Sequence, residues 1–186
     1  MESILITGAS GFIGSFIVEE ALKRKFGVWA GIRPTSSKKY LKNRKIHFLE
    51  LDFAHLQTKY FIDTLKALNM VPKQFIYIST LSVFGPVREK DYSPIEAGDV
   101  PMPNTAYGLS KLKAELYIQS IPGFPYVIYR PTGVYGPREL DYFLMAKSIR
   151  QHVDFSVGFR RQDLTFVYVK DIVQAIFLGI EKKVTR

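Results

Sequence analysis

Tyr107 and Lys111 stand four residues apart in the run Tyr107-Gly108-Leu109-Ser110-Lys111. On a helix that spacing puts a phenol and an ammonium on the same side of one turn. A free tyrosine releases its proton only near about pH 10, but an adjacent cation favours the phenolate and brings it toward acid–base work at neutral pH. Surface helices carry the same pair by chance, so the surroundings decide. Upstream, Phe75–Ser79 reads as a strand that runs into Thr80-Leu81-Ser82. Hydroxyls then stand at the carboxyl end of a parallel strand, where open α/β sheets bind ligands. A hydroxyl there can hold a substrate oxygen while the tyrosine exchanges its proton.

A second signal lies in Thr7-Gly8-Ala9-Ser10-Gly11-Phe12-Ile13-Gly14. Glycines three apart suit a tight turn, close approach of backbone to a pyrophosphate, and packing of a helix on a strand. The helix that starts there offers free N–H groups and a partial positive charge to phosphates. Placed between a first strand and a first helix, the loop is expected to hold a dinucleotide through Gly8, Ser10, Gly11, Phe12, Ile13 and Gly14. At the end of the second strand an NAD site usually carries an acid for the ribose 2′-hydroxyl; here the chain reads Gly31-Ile32-Arg33-Pro34. Arg33, backed by Lys38 and Lys39, suits a 2′-phosphate, which favours NADP over NAD. A merely exposed arginine would look the same.

These groups need a scaffold, and the hydrophobic pattern supplies one. Ser3–Thr7 is a compact apolar strand, Phe12–Lys25 a helical pattern ending near Gly27, and Val28–Ile32 a second strand. Such a βαβ unit implies parallel pairing and a right-handed crossover. Ile46–Leu51 reads as a third strand, Leu56–Leu68 as a helix and Gln74–Ser79 as a buried strand. Proline and glycine mark a long loop from Gly85 to Pro103, before a helix over Ala106–Gln119 and a strand over Tyr126–Tyr129. Tyr142–Arg150 is a short helix, and Phe166–Val169 and Asp171–Ile180 follow as strand and helix. The alternation predicts an α/β fold, a doubly wound Rossmann-type parallel sheet with helices on both faces. One NAD(P)-binding domain is expected over 1–186, with parts of a small substrate-binding region near 137–165.

Composition narrows the function classes. There is no cysteine, and His47, His55 and His152 lie far apart, so neither disulfides nor a metal site is expected. No signal peptide or membrane span is read from the N-terminal pattern, which makes the cytoplasm the expected compartment. A net charge of +9 raises nucleic acid as a partner. Much of the excess is local to Arg33, Lys38, Lys39, Lys42, Arg44 and Lys45, just after a strand, so neither nucleic acid nor membrane is the expected partner.

Four runs in order, Thr7–Gly14, Ile78–Gly85, Tyr107–Lys111 and Arg130–Pro137, resemble the successive motifs of the extended short-chain dehydrogenases/reductases, in particular the NAD(P)-dependent epimerase/dehydratase branch. The resemblance implies that Thr80, Tyr107 and Lys111 are the catalytic set. Lys111 would both modulate Tyr107 and hold the nicotinamide ribose. It also implies cofactor contacts from Ser79, from Asp52 and Phe53 at the adenine, and from the segment between Pro131 and Val134 at the nicotinamide. The expected activity is hydride transfer at a hydroxyl or ketone carbon of a small molecule, as a nucleotide-sugar epimerase or a ketone/aldehyde reductase. A sugar-nucleotide 4,6-dehydratase is disfavoured, because Leu81-Ser82 stands where those enzymes carry Asp-Glu. The alternative is a non-catalytic NAD(P)-binding sensor or scaffold. A homodimer could form through the Leu112 and Leu116 side of the Tyr107 helix, although core packing explains those leucines equally well.

The chain departs from the family in two places. Between Asp52 and the helix near Leu56, where the family places a further helix, a central strand and a loop, only Phe53-Ala54-His55 intervene. The parallel layer is expected to be disrupted there, either because a segment is omitted from the sequence or through a true deletion that would weaken activity. The substrate-capping region expected beyond Arg186 is also lacking.

Overall fold

The computed structural model describes residues 2–51, 58–85, 93–96, 98–153 and 164–185. The chain divides into two compact units, one of Met1–Leu56, Tyr135–Val153 and Tyr168–Ala175, the other of Gln57–Val134, Asp154–Val167 and Ile176–Arg186.

In the first unit β1 (Ser3–Thr7), α1 (Phe12–Lys23), β2 (Gly27–Ile32) and β3 (Ile46–Glu50) follow one another. The strands pair in parallel, in the order β1-β2-β3. Their register puts Leu5 beside Trp29 and Trp29 beside His47, so one face carries Leu5, Trp29, His47 and Leu49, and the other Ile6, Val28, Ala30 and Ile46. The second set is buried, as are Phe16, Ile17, Val18 and Ala21 of α1, which packs on β1 and β2. The first set is exposed: Leu5 is 40%, Trp29 43% and Leu49 38% accessible. α4 (Asp141–Arg150) also belongs to this unit and buries no residue.

In the second unit α2 (Thr58–Ala67), β4 (Phe75–Ile78), a 3₁₀ turn over Leu81–Phe84, α3 (Ala106–Gln119) and β5 (Tyr126–Tyr129) run in order. β4 and β5 pair in parallel, and the ladder continues past the strand ends through Ser79 N–H to Tyr129 C=O (2.7 Å) and Leu81 N–H to Pro131 C=O (2.8 Å). Ile62 of α2, Ile118 of α3 and Phe124 are buried together, with Phe75, Tyr77, Tyr126 and Ile128 packed against them. β6 (Gly133–Tyr135) and β7 (Phe166–Tyr168) form a two-stranded sheet, and α5 (Val169–Glu181) follows β7 directly.

The parallel α/β alternation read from the sequence is present, and the helix over 106–119 and the strand over 126–129 fall on the expected bounds. The layer is not one sheet among the described residues: β1-β2-β3 and β4-β5 are separate, as the short connection after β3 implies. β6 is not foreseen by the hydrophobic pattern, because three residues are too few to show a period of two. The last helix starts two residues earlier than expected, at Val169, whose side chain is fully buried.

One close approach fixes α3. Thr105 caps the helix, its Oγ1 accepting the Gly108 N–H at 3.0 Å, and a Cβ built on Gly108 would lie 2.5 Å from the Ser82 carbonyl oxygen. Gly108→Ala is therefore expected to force α3 away from the 3₁₀ turn and to lose about 1–3 kcal/mol of stability in urea unfolding. Gly98→Ala, where a Cβ meets nothing within 4 Å, should leave the midpoint unchanged.

Candidate active site

The reactive half lies in the second unit. β4 ends at Ile78, and the 3₁₀ turn that follows is capped by Thr80, whose extended backbone lets its Oγ1 accept the Ser82 N–H at 3.2 Å. The Thr80 and Ser82 hydroxyls are also 3.2 Å apart. Gly108, packed on the Ser82 carbonyl, brings the first turn of α3 against this pair. Tyr107 projects from that turn and is 57% exposed, open to a ligand. One turn on, the half-buried Lys111 donates from Nζ to the Ile78 carbonyl at 2.9 Å and lies 5.8 Å from the centre of the Tyr107 ring and 5.0 Å from that of Tyr77. Burial pushes the Lys111 ammonium below its ordinary value, and the negative charge of Glu115 acts in the opposite direction. Thr80, Tyr107 and Lys111 are thus gathered on one helix turn and the strand end it covers.

Glu115 belongs to none of the sequence motifs. Its side chain is fully buried, one turn beyond Lys111 on the same stripe of α3, and takes hydrogen bonds from Arg130 at 2.6, 3.1 and 3.1 Å. The Arg130 guanidinium also lies over the Phe84 ring, 5.0 Å from its centre. This pair ties α3 to the end of β5, just before Pro131. The four-residue steps from Tyr107 to Lys111 to Glu115 are the signal by which the sequence could reveal it.

The glycine loop lies in the first unit. Gly8 has φ +64°, and a Cβ on Gly14 would stand 2.2 Å from the Gly8 carbonyl oxygen, so helix α1 can start this close to β1 only without a side chain at 14. Gly11 is the N-cap of α1 and donates its N–H to Gly8 C=O at 2.9 Å. Ser10, Phe12 and Ile13 are part-buried around the turn. Arg33 is exposed beyond β2, its backbone held by a turn with Ser36, and among the described residues its guanidinium has no partner. Lys38 lies over the Phe48 ring, 4.5 Å from its centre. Asp52 and Phe53 lie outside the described residues. Pro131 and Val134 are part-buried, Pro131 accepting the Leu81 N–H and Val134 within β6.

Two observations bear on whether a nicotinamide cofactor fits. The Ser79 hydroxyl, at the carboxyl end of β4, is buried and has no hydrogen-bond partner among the described residues, which marks a polar position awaiting one. The Gly8–Gly14 cradle leaves backbone where side chains would obstruct a phosphate. Both fit. A cavity of about 720 Å³ in the first unit, lined by Val18, Leu22, Lys39, Tyr40 and Arg138 among others, contains none of these residues. Among the described residues no cluster of His, Cys, Asp or Glu could hold a metal, and no helix is long and apolar enough to cross a membrane.

Similarity to known proteins identifies the family. The NAD dependent epimerase/dehydratase family matches over residues 4–64 and again over 56–186. The chain is 28% identical over 228 positions to a Bacillus subtilis protein described as an uncharacterized UDP-glucose epimerase, covering 93% of this chain and 71% of that one. It is 34% identical over 118 positions to human dTDP-D-glucose 4,6-dehydratase, covering 60% of this chain and 33% of that one. Among solved structures, UDP-glucuronic acid 4-epimerase from Bacillus cereus, in complex with UDP-glucuronic acid and NAD, superimposes with a TM-score of 0.75 at 23% identity, over 98% of this chain and 74% of that one. With a glycine cradle, a Tyr–Lys helix and a strand-end hydroxyl in family order, this chain belongs to the NAD dependent epimerase/dehydratase family of extended short-chain dehydrogenases/reductases. It is an NAD(P)-dependent enzyme of that type.

The Glu115–Arg130 pair gives a stability test. Glu115→Leu leaves Arg130 without its carboxylate and is expected to cost about 3 kcal/mol in chemical denaturation, while Glu115→Leu with Arg130→Met recovers most of the loss.

Proposed function

We propose that the chain oxidises and re-reduces a hydroxyl-bearing carbon of a nucleotide sugar, as a cytoplasmic epimerase, with Thr80, Tyr107 and Lys111 as its catalytic residues. The observation that carries this reading is the Lys111 Nζ to Ile78 C=O hydrogen bond, which holds an ammonium one turn below the exposed Tyr107 phenol and beside the strand end that bears Thr80. When bound, the nicotinamide cofactor supplies the hydride acceptor and donor. Tyr107 takes the proton from the substrate hydroxyl and returns it, and the Lys111 charge favours the phenolate in that exchange. The Thr80 hydroxyl, already oriented by Ser82, donates to the substrate oxygen. Leu81-Ser82 favours epimerisation over dehydration, since no acid–base pair follows Thr80 for the elimination of water.

Cofactor contacts are assigned to Gly8, Ser10, Gly11, Phe12, Ile13 and Gly14 at the pyrophosphate, to Ser79 and Lys111 near the reactive end, and to Pro131 and Val134 at the nicotinamide. Arg33 is assigned to a 2′-phosphate, which makes NADP the preferred form. Titration by cofactor fluorescence should show NADPH binding more tightly than NADH, with Arg33→Ala weakening NADPH at least about tenfold and NADH little. Equal loss for both cofactors would remove the 2′-phosphate assignment.

The pH profile tests the Lys111 role. Because burial pushes the Lys111 ammonium below the ordinary lysine range, the basic limb of activity should fall at lower pH than a free lysine would place it. Glu115 raises the Lys111 value, so Glu115→Gln should move the limb to lower pH. A limb that stays in place would show that Lys111 does not act as the charged partner of Tyr107.

A second reading, a non-catalytic NAD(P)-binding protein, is favoured by the separation of β1-β2-β3 from β4-β5. It predicts cofactor binding that survives Tyr107→Phe, with no conversion of any nucleotide sugar.

A further inference from the structure

The segment 33–45, which joins β2 to β3, carries no regular element, and a cavity of about 720 Å³ is lined jointly by that segment and by α1. Small-molecule sites commonly enclose about 300–1,000 Å³. Val18 and Leu22 of α1 and Ile46 at the start of β3 give the cavity apolar walls, while Lys23, Lys39 and Lys42 bring three ammonium groups to it.

The charge in this lining is one-sided. Glu19 is its single acid, and that carboxylate is taken by Arg138. The Arg138 guanidinium also donates to Ser15 Oγ at 2.9 Å and lies between the Phe16 and Tyr40 rings, 4.2 and 4.3 Å from their centres. One wall is thereby fixed and neutral. Lys23 has Glu20 at 3.8 Å, but Glu20 is held more closely by Arg24 at 2.7 Å. Lys39 stands 5.3 Å from the centre of the Tyr40 ring, and neither Lys39 nor Lys42 has an ion-pair partner among the described residues. Three positive charges beside apolar walls suit an anion that carries more than one charge and an organic body.

This place is distinct from the cofactor cradle. Neither Arg33 nor any residue of Gly8–Gly14 lines it. α1 is 12 residues long, so its Lys23 end stands about 18 Å along the helix from the glycine loop. Ile46 pairs with Val28 near the amino end of β2, whereas open α/β sheets bind their cofactors beyond the carboxyl ends of the strands.

We propose that the cavity is a second anion site that takes a nucleoside diphosphate. Lys23, Lys39 and Lys42 hold the diphosphate, and the base and sugar rest on Val18, Leu22 and Ile46. An inorganic phosphate would leave those apolar walls in water. A nucleic-acid strand fits less well, because its phosphates need cations spread along a groove, and here they converge on one cavity.

The test titrates the full chain with ADP and with pyrophosphate by calorimetry, with NADPH saturating so that the glycine cradle is filled. ADP is expected to bind at one site, at least about tenfold more tightly than pyrophosphate. Lys23→Ala with Lys42→Ala should weaken ADP at least about tenfold. Arg44→Ala with Lys45→Ala removes the same charge from positions outside the lining and should leave ADP binding unchanged. NADPH affinity should be the same in both double variants. Absence of ADP binding, or ADP binding no tighter than pyrophosphate, would overturn the proposal. So would an equal loss in the two double variants, which would assign the attraction to the basic segment as a whole, or ADP binding retained in both. The two variants discriminate whether or not NADPH is bound, so failure here is separate from failure of the cofactor reading.

Discussion

The reactive half depends on the approach of α3 to the Ser82 carbonyl, which leaves no room for a Cβ at residue 108. That approach sets the depth of the whole helix. With α3 seated, Lys111 reaches the Ile78 carbonyl, Glu115 is carried into the interior, and Arg130 at the end of β5 meets it with three hydrogen bonds. The strand end, the 3₁₀ turn and the helix then behave as one body. Tyr107 is left outside it, exposed and held by its backbone. A side chain that must exchange protons with a visiting ligand needs that combination of fixed anchorage and open tip.

Charge in this half is arranged to compensate burial. The Lys111 ammonium is half-buried and loses hydration, but it gains a backbone carbonyl and the field of Glu115. Glu115 in turn is fully buried and would be costly alone; Arg130 answers it through a bidentate geometry, with its own far side resting on Phe84. Each group makes the next tolerable, from α3 to the end of β5.

Much of this is legible in the chain. The 106–119 helix and the 126–129 strand are readable because their patterns are long or bounded by Pro and Gly, and the four motifs in order point to the family. Tertiary facts are not legible. Gly108 lies within the Tyr–Lys motif, and its role shows only once the Ser82 carbonyl is seen beside it. Glu115 lies in no motif, and only its four-residue step from Lys111 marks it. Lys38 reads as a companion of Arg33, and its contact with the Phe48 ring is not foreseen. Trp29 reads as packing within a strand, and nothing local reveals that it is exposed among the described residues.

β1, an edge strand of its sheet among the described residues, also bears on the colloidal behaviour of the protein. An apolar, unblunted edge is a template for intermolecular pairing, and copies of this chain repel one another through their shared net charge of +9. That repulsion is long-ranged in dilute buffer but decays within about 10 Å at 0.1 M salt and about 3 Å at 1 M. Raising ionic strength, which usually helps a basic protein shed contaminating polyanions, here removes the barrier that prevents edge-to-edge growth. Solubility of this chain is therefore governed by salt as much as by concentration, and its precipitates should be rich in cross-strand hydrogen bonding.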